Sequence, residues 1–128
     1  DSREESDYLP HNYPHNCVVY TGTHDNNTLM GWLKEIPKED LDMCINYLRL
    51  TKEEGYDKGI IKAAWASVGD TAIAQMQDFL GLNADARMNT PSTVGTNWKW
   101  RMLPGAATSE LAGQIRSMTK LYGRLAKK

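Results

Sequence analysis

A β-branched run, broken by polar residues and followed by helical periodicity, is the feature that most constrains the fold of this chain. Residues 17–23 read CVVYTGT, which predicts a strand that is fully or mostly buried. Gly22 breaks the run, and the polar residues His24 to Thr28 follow before the sequence turns apolar again. Such a polar stretch after a strand can cap a helix, bind a metal or contact a substrate.

Apolar residues at helical spacing predict three helices after the strand, over residues 26–35, 37–50 and 57–68. Asp25 or Asn26 is the expected N-cap of the first helix, because short polar side chains accept hydrogen bonds from the first free amides. Pro37 suits the first turn of the second helix. These helices connect the strand to the next apolar segment.

The second half of the chain repeats the order of apolar segment, polar stretch and helix. Residues 71–80, TAIAQMQDFL, fit either a helix end or a buried strand, and their short length favours a strand. Residues 81–105 are predicted to form a long loop, which in a compact domain is usually functional or disordered. The tryptophans and methionines of this stretch argue against disorder. Thr108 or Ser109 caps a last helix that runs to about Ala126.

Strands that alternate with helices predict an α/β architecture with a parallel sheet. The chain then divides into a loop (1–16), a strand with helices (17–70), and a last strand with its long loop and final helix (71–128). Ligands of such folds lie at the carboxyl ends of the strands, so the two polar loops share one site only if their strands are neighbours. Two parallel strands do not make a stable sheet alone, so we expect a partner or a larger α/β protein to complete it.

Composition excludes several classes of protein. The net charge of -1 provides no field that would attract nucleic acid or a membrane surface, and no apolar run approaches the roughly 20 residues of a membrane span. No secretory signal is visible, so a cytoplasmic protein is expected. Cys17 and Cys44 are then predicted to be two free, buried thiols in a reducing compartment.

The residues around the first polar stretch leave its chemistry open. Asp25 can be a simple helix cap, or it can act with His24 on a polar ligand. A metal site would combine these residues with His11 and His15, but Pro14 disfavours a helix there and the distinctive zinc motifs are absent. We therefore predict no metal and no cofactor.

The second polar stretch combines hydrogen-bond donors with flat aromatic rings. Its candidate contact residues are Arg87, Asn89, Asn97, Trp98, Lys99, Trp100 and Arg101. Aromatic planes beside amide and guanidinium groups suit sugar rings, which have apolar faces and polar rims. The alternative is that the tryptophans pack the loop onto the protein and the charges are solvated.

Two long motifs resemble a known family. The stretches LPHNYPHNCVVYTGTHDNNTLMGW and LGLNADARMNTPSTVGTNWKWRMLPG are similar to the C-terminal motifs of the 4-alpha-glucanotransferases. This family comprises the amylomaltases or disproportionating enzymes of glycoside hydrolase family 77. The intervening AAWASVGDTAIAQMQDFLGL resembles the family's approach to its last barrel strand, so the likeness covers Tyr8 to Leu125.

The resemblance implies about the last two βα units of a (β/α)8 barrel. It implies an enzyme of carbohydrate metabolism that transfers α-1,4-glucan segments between maltooligosaccharides with retention, through an Asp nucleophile and a Glu acid/base. Asp25 matches the family's third carboxylate, which binds sugar hydroxyls and stabilises the transition state. His24 and Asn89 match substrate-contacting residues, and Arg87 and Asn97 are further candidates.

The nucleophile and the acid/base of the family precede the motif that contains Asp25, and neither is found in this chain. We therefore expect a C-terminal fragment that is inactive alone and that self-associates through its incomplete barrel surface. The rival hypothesis is a stand-alone carbohydrate-binding or interaction domain that uses the tryptophan-rich loop.

Overall fold

The computed structural model describes residues 6–127, which form a two-stranded parallel sheet packed with α-helices. The elements in chain order are a 3-10 helix (Pro10–Asn12), β1 (Val18–Tyr20), α1 (Leu29–Glu35), α2 (Lys38–Leu48), α3 (Tyr56–Ala66), β2 (Thr71–Ile73), α4 (Met76–Phe79), a second 3-10 helix (Ala84–Ala86) and α5 (Ser109–Leu121). Helix α3 contacts each of the other α-helices as well as β2. This small helix-rich α/β unit confirms the predicted class.

The sheet pairs the two predicted strands side by side. β1 and β2 are parallel, and Val19 lies opposite Ala72. The prediction of a long strand buried on both faces is wrong. β1 has three residues, and only Val19 among them is buried, since side chains alternate along a strand and Val18 and Tyr20 are 48% and 51% exposed.

Gly69, two residues before β2, lies close to the side chains of β1 and of the residue before it. Gly69 is buried, and a Cβ atom at this position would lie 2.5 Å from Cγ2 of Val19 and 3.0 Å from Sγ of Cys17. Only glycine therefore fits without displacing its neighbours. Cys17 and Cys44 are both free, as predicted, but each is half-buried rather than buried. Burial raises the pKa of Cys44.

Helix α2 ends two residues earlier than predicted. Pro37 is its N-cap, one position before the first turn, and Arg49 adopts the left-handed conformation with φ of 54°. This reversal brings Leu50 back into the core, where the amide of Leu50 donates to the carbonyl of Ile45 at 3.0 Å.

Residues 71–80 form both of the structures that the sequence left open, so the prediction of a continuous strand is wrong after Ile73. Gln75 is the N-cap of α4, a helix of a single turn. Phe79 at its end packs edge-on against Trp65 of α3, with ring centroids 5.7 Å apart. This aromatic contact fixes the short helix on α3.

The last helix begins as predicted but ends earlier. The side chain of Thr108 accepts a hydrogen bond from the amide of Leu111, and the helix stops at Leu121 rather than at Ala126. Beyond it, the guanidinium of Arg124 donates to the carbonyls of Trp65 (2.8 Å), Ser67 (3.0 Å) and Gly69 (2.8 Å). The guanidinium thereby satisfies carbonyls at the end of α3 and just beyond it. Gly123 has a φ of 69°, and the amide of Arg124 donates to the carbonyl of Thr119 at 2.9 Å, which ends α5 before Ala126. Over residues 6–127 no helix has the length and hydrophobicity that crossing a membrane requires.

Candidate functional site

The two polar loops meet at one edge of the sheet. The first loop, residues 21–28, follows β1, and the second loop, residues 82–105, follows β2 and α4. Because β1 and β2 are parallel neighbours, both loops leave the same edge. The condition for a shared site is therefore met.

Asp25 and Asn89 form the centre of the contact between the loops. Nδ2 of Asn89 donates to Oδ1 of Asp25 at 2.7 Å, and Nε2 of His24 lies 3.3 Å from the same oxygen. The side chains of His24 and Asp25 remain 56% and 49% exposed. The carboxylate is thus held in place while half of it still faces solvent.

Arg87 ties the main chains of both loops together. Its Nη2 donates to the carbonyl of Asp25 at 2.6 Å, and its Nε donates to the carbonyl of Asn89 at 2.8 Å. The amide of Asn89 also donates to the carbonyl of His24 at 3.1 Å. Four of the predicted site residues therefore lie in one hydrogen-bonded group.

Asn97, the remaining predicted site residue, makes its hydrogen bonds within the second loop. Its Oδ1 accepts from the amide of Thr90 at 2.8 Å, and its Nδ2 donates to the carbonyl and the hydroxyl of Thr93, each at 3.0 Å. None of these bonds reaches the first loop. The side chain shapes a turn of the second loop next to the site.

Trp98 lies against the imidazole of His24. The two ring centroids are 5.0 Å apart at an interplanar angle of 40°, and Trp98 is 54% exposed. Its φ of 62° is rare for a bulky residue, and its amide donates to the carbonyl of Met88 at 2.7 Å. Strained backbone of this kind clusters at functional sites.

The predicted N-cap of α1 is wrong, because Thr28 takes that position. The hydroxyl of Thr28 accepts from the amide of Gly31 at 3.2 Å, and the side chain is fully buried. Asn26 instead closes a turn, with its Oδ1 accepting from the amide of Thr23 at 2.8 Å. Asp25 is therefore not required as a cap and can present its carboxylate at the site.

Sequence reasoning missed two buried residues behind the loops, Gln77 and Asp78. Asp78 is 1% exposed and accepts from the amide of Leu29 (2.8 Å) and the hydroxyl of Thr21 (3.2 Å). Burial raises the pKa of Asp78, and the charge of Asp57 adds to that effect. A signal was available, because two adjacent polar residues inside an apolar run must find hydrogen-bond partners when buried.

The histidines and acids of the site do not form a metal centre. Within residues 6–127, no group of three or more His, Cys, Asp or Glu side chains is arranged to hold a metal ion. His11 lies elsewhere, with its Nδ1 2.6 Å from the hydroxyl of Tyr47.

Comparison with known proteins assigns the family. A family model described as 4-alpha-glucanotransferase, of glycoside hydrolase family 77, matches residues 1–107. The chain is 51% identical over 118 residues to the 4-alpha-glucanotransferase of Clostridium butyricum, an alignment that covers 91% of this chain and 24% of the relative. It is 45% identical over 125 residues to the enzyme of a Synechocystis species, which covers 97% of this chain and 25% of that relative.

A solved structure gives the same result. The amylomaltase of Streptococcus agalactiae, solved in complex with acarbose, superposes with a TM-score of 0.94 at 36% sequence identity. The superposition covers 98% of this chain and 26% of that protein. The chain thus spans about a quarter of the length of the relatives it matches. Because the family model covers most of its residues and this structure matches it, the chain belongs to the 4-alpha-glucanotransferase family, glycoside hydrolase family 77.

Proposed function

We propose that this segment supplies one wall of the sugar-binding cleft of a 4-alpha-glucanotransferase. The enzyme transfers α-1,4-glucan segments between maltooligosaccharides with retention of configuration. The observation that carries the proposal is the Asp25 carboxylate, which Asn89 fixes at 2.7 Å while half of the side chain remains exposed. A carboxylate that is both oriented and accessible suits a group that binds sugar hydroxyls.

Asp25 acts on the transition state in this proposal. Its Oδ1 is occupied by Asn89, whereas Oδ2 accepts no hydrogen bond from the described residues. Oδ2 is therefore available to a sugar hydroxyl, and hydrogen bonds to a carboxylate are stronger than neutral ones. Bonds that tighten as the sugar ring flattens raise the rate rather than only the affinity.

The neighbouring residues bind and orient the sugar. His24 donates to a sugar hydroxyl, and the exposed indole of Trp98 beside it offers an apolar face. Nη1 of Arg87 is the guanidinium nitrogen without a partner among the described residues, which leaves it available to a ligand. Substrate contact by Asn97 stays a prediction, because its amide is engaged within the second loop. The acarbose bound to the Streptococcus agalactiae relative supports an oligosaccharide ligand.

The nucleophile and the acid/base come from parts of the enzyme outside this chain. The segment forms about the last two βα units of a (β/α)8 barrel, which the parallel pairing of β1 and β2 across helical connections supports. We expect no disproportionation of maltotriose by the 128-residue chain alone. Glucose release from maltotriose by the purified chain would contradict this.

Substitution of Asp25 tests the proposal in a full-length enzyme that contains this segment. We expect Asp25→Asn to lower kcat about 100-fold or more with a small change in KM, as for loss of a transition-state hydrogen-bonding group. The matched control is Asp85→Asn, an exposed aspartate of the second loop that makes no hydrogen bond in the described part of the chain. Equal kinetics for the two variants would remove the role assigned to Asp25.

The surface of the isolated segment favours association. A groove of about 820 Å³ is lined by apolar side chains that include Tyr20, Trp32, Met43 and Ile60. In the full enzyme the rest of the barrel covers this face, and in the isolated chain a second copy covers it. A monomer with a cooperative melt in sedimentation and unfolding experiments would count against self-association.

A stand-alone carbohydrate-binding domain is the second candidate function. The exposed Trp98, which packs at a tilt against His24, is the observation that favours it. Calorimetry of the 128-residue chain with maltoheptaose separates the two hypotheses. Two results together would support the second candidate function. The chain would bind maltoheptaose and lose that binding in Trp98→Ala, and no longer protein that contains the segment would show turnover.

A further inference from the structure

We propose that Gln77 and Asp78 form a positioning pair that sets the distance between Asp25 and Asn89. The inference rests on the proposed function, since it assigns a role to residues that do not touch the sugar. Each member of the pair fixes one of the two loops, and both belong to the same turn of α4. One short helix therefore aligns the two halves of the site.

Asp78 fixes both ends of the first loop. Its Oδ2 accepts from the hydroxyl of Thr21, directly after β1, and its Oδ1 accepts from the amide of Leu29, at the start of α1. The residues between these anchors include His24 and Asp25. A single carboxylate thereby closes the loop at its base and limits how far Asp25 can move.

Gln77 fixes the beginning of the second loop. Its Nε2 donates to the carbonyl of Ala86 at 3.2 Å, and the side chain is 5% exposed. Arg87 and Asn89 follow this anchor directly. Because α4 contains the donor, a shift of α4 moves the second loop with it.

The burial of the pair argues that its role is not stability alone. Burial of a carboxylate is costly even when it accepts hydrogen bonds, and a neutral side chain at this position would avoid that cost. The pKa of Asp78 is raised, which reflects this desolvation. By contrast, misplacement of a reacting group by about 1 Å can cost about 100-fold in rate. If Asp78 keeps Asp25 aligned with Asn89, the gain in rate is large enough to offset the cost of burying its carboxylate.

The first test removes the anchors of the first loop in the full-length enzyme. We expect Asp78→Leu to lower kcat about 10- to 100-fold with a smaller change in KM. Asp78→Asn should restore most of kcat, because its Oδ1 can accept from Leu29 and its Nδ2 can donate to Oγ1 of Thr21. If Asp78→Leu does not fold, Thr21→Val carries the test, since it removes one anchor and keeps the carboxylate.

The matched control for Thr21→Val is Thr119→Val. The hydroxyl of Thr119 is also half-buried and hydrogen-bonded, to Trp65 at 3.1 Å, but it joins α3 to α5 away from the loops. Both substitutions remove a hydroxyl at nearly constant volume. We expect both to lower the melting temperature and only Thr21→Val to lower kcat. Equal kcat values for the two variants would overturn the inference.

The second test measures coupling between the pair and the site. Gln77→Met removes the donor to Ala86, and its effect on kcat should largely disappear when Asn89→Ala is already present. Fully additive effects would overturn the claim that Gln77 acts through Asn89. An inactive parent enzyme would instead refute the proposed function. In that case hydrogen exchange of residues 22–28 in Thr21→Val still decides whether Asp78 fixes the loop.

Discussion

The two loops of the site are ordered in different ways. The first loop is short, and buried side chains hold its ends, with Thr28 as a helix cap and Asp78 beneath it. The second loop is long and largely exposed, and it is ordered by hydrogen bonds within the loop, among them those of Asn97 and the bond from Trp98 to Met88. Its hydrogen bonds to the first loop come from Arg87 and Asn89, and its Trp98 packs on His24.

If Asp25 binds the sugar as proposed, this difference suits the two loops to different tasks. A group that stabilises a transition state must be held accurately, which suits the anchored first loop and its Asp25. A surface that follows a flexible sugar chain can tolerate adjustment, which suits the second loop and its Trp98. The following predictions would break or sharpen this comparison, in order of decreasing effect.

The largest effect is expected when the bond between the loops is removed. Asn89→Ala deletes a donor to a charged carboxylate, a bond worth about 1.5–3 kcal/mol. We expect kcat of the full-length enzyme to fall about 10- to 100-fold, measured by glucose release from maltotriose. Asn83→Ala is the control, because this exposed amide bonds only to Lys34 among the described residues. A similar loss in both variants would show that Asn89 has no special role.

The next effect concerns the buried cap of the first loop. Thr28→Val should weaken the start of α1 by about 1 kcal/mol, seen as faster hydrogen exchange over residues 29–35. Turnover should fall with it, because α1 anchors the first loop. Thr108→Val removes the equivalent cap of α5 and should leave turnover unchanged. A loss of activity in Thr108→Val alone would reverse the comparison.

A smaller effect is expected from the internal bonds of the second loop. Asn97→Ala should weaken substrate binding about fivefold with little change in kcat, as for a net loss of about 1 kcal/mol. Thr96→Ala is the control, since Thr96 is exposed and has no hydrogen bond within the described residues. A drop in kcat rather than in affinity would show that Asn97 affects the rate, as is expected of the first loop, and would contradict this prediction.

The smallest effect is a pH dependence of stability. Burial raises the pKa of Asp78 above its ordinary 3.8. The folded state therefore favours the protonated form of Asp78 more than the unfolded chain does. The stability that Asp78 contributes is therefore full below pH 3.8 and is lost as pH rises through the raised value. Asp78→Asn removes this loss, so the denaturation midpoint of the variant should increase relative to that of the parent as pH rises. A constant difference at all pH values would contradict the raised pKa.

Local signals predicted much of the fold and part of the site. The cap of α5 was narrowed to Thr108 or Ser109 because both precede an amphipathic helix, and Thr108 takes the position. Asp25 was a candidate because it follows a strand, but its predicted role came from the resemblance to the family. Thr28 was missed because Asp25 and Asn26 are equally good caps by residue type, and burial decides among them. The polar pair at Gln77 and Asp78 is visible in the sequence, but the partner of Asp78 is not, because Leu29 is 49 residues away. No local pattern contains such a bond.

The separation of the partners along the chain also has a kinetic consequence. Asn89 and Asp25 are 64 residues apart, and Arg87 and Asp25 are 62 residues apart. Contacts of this kind close large loops and form only after the intervening chain has become compact, which slows folding. We therefore expect the helices between β1 and β2 to gain protection from exchange before the site does during refolding. A peptide that contains the first loop alone would lack the bonds that hold the Asp25 carboxylate in place.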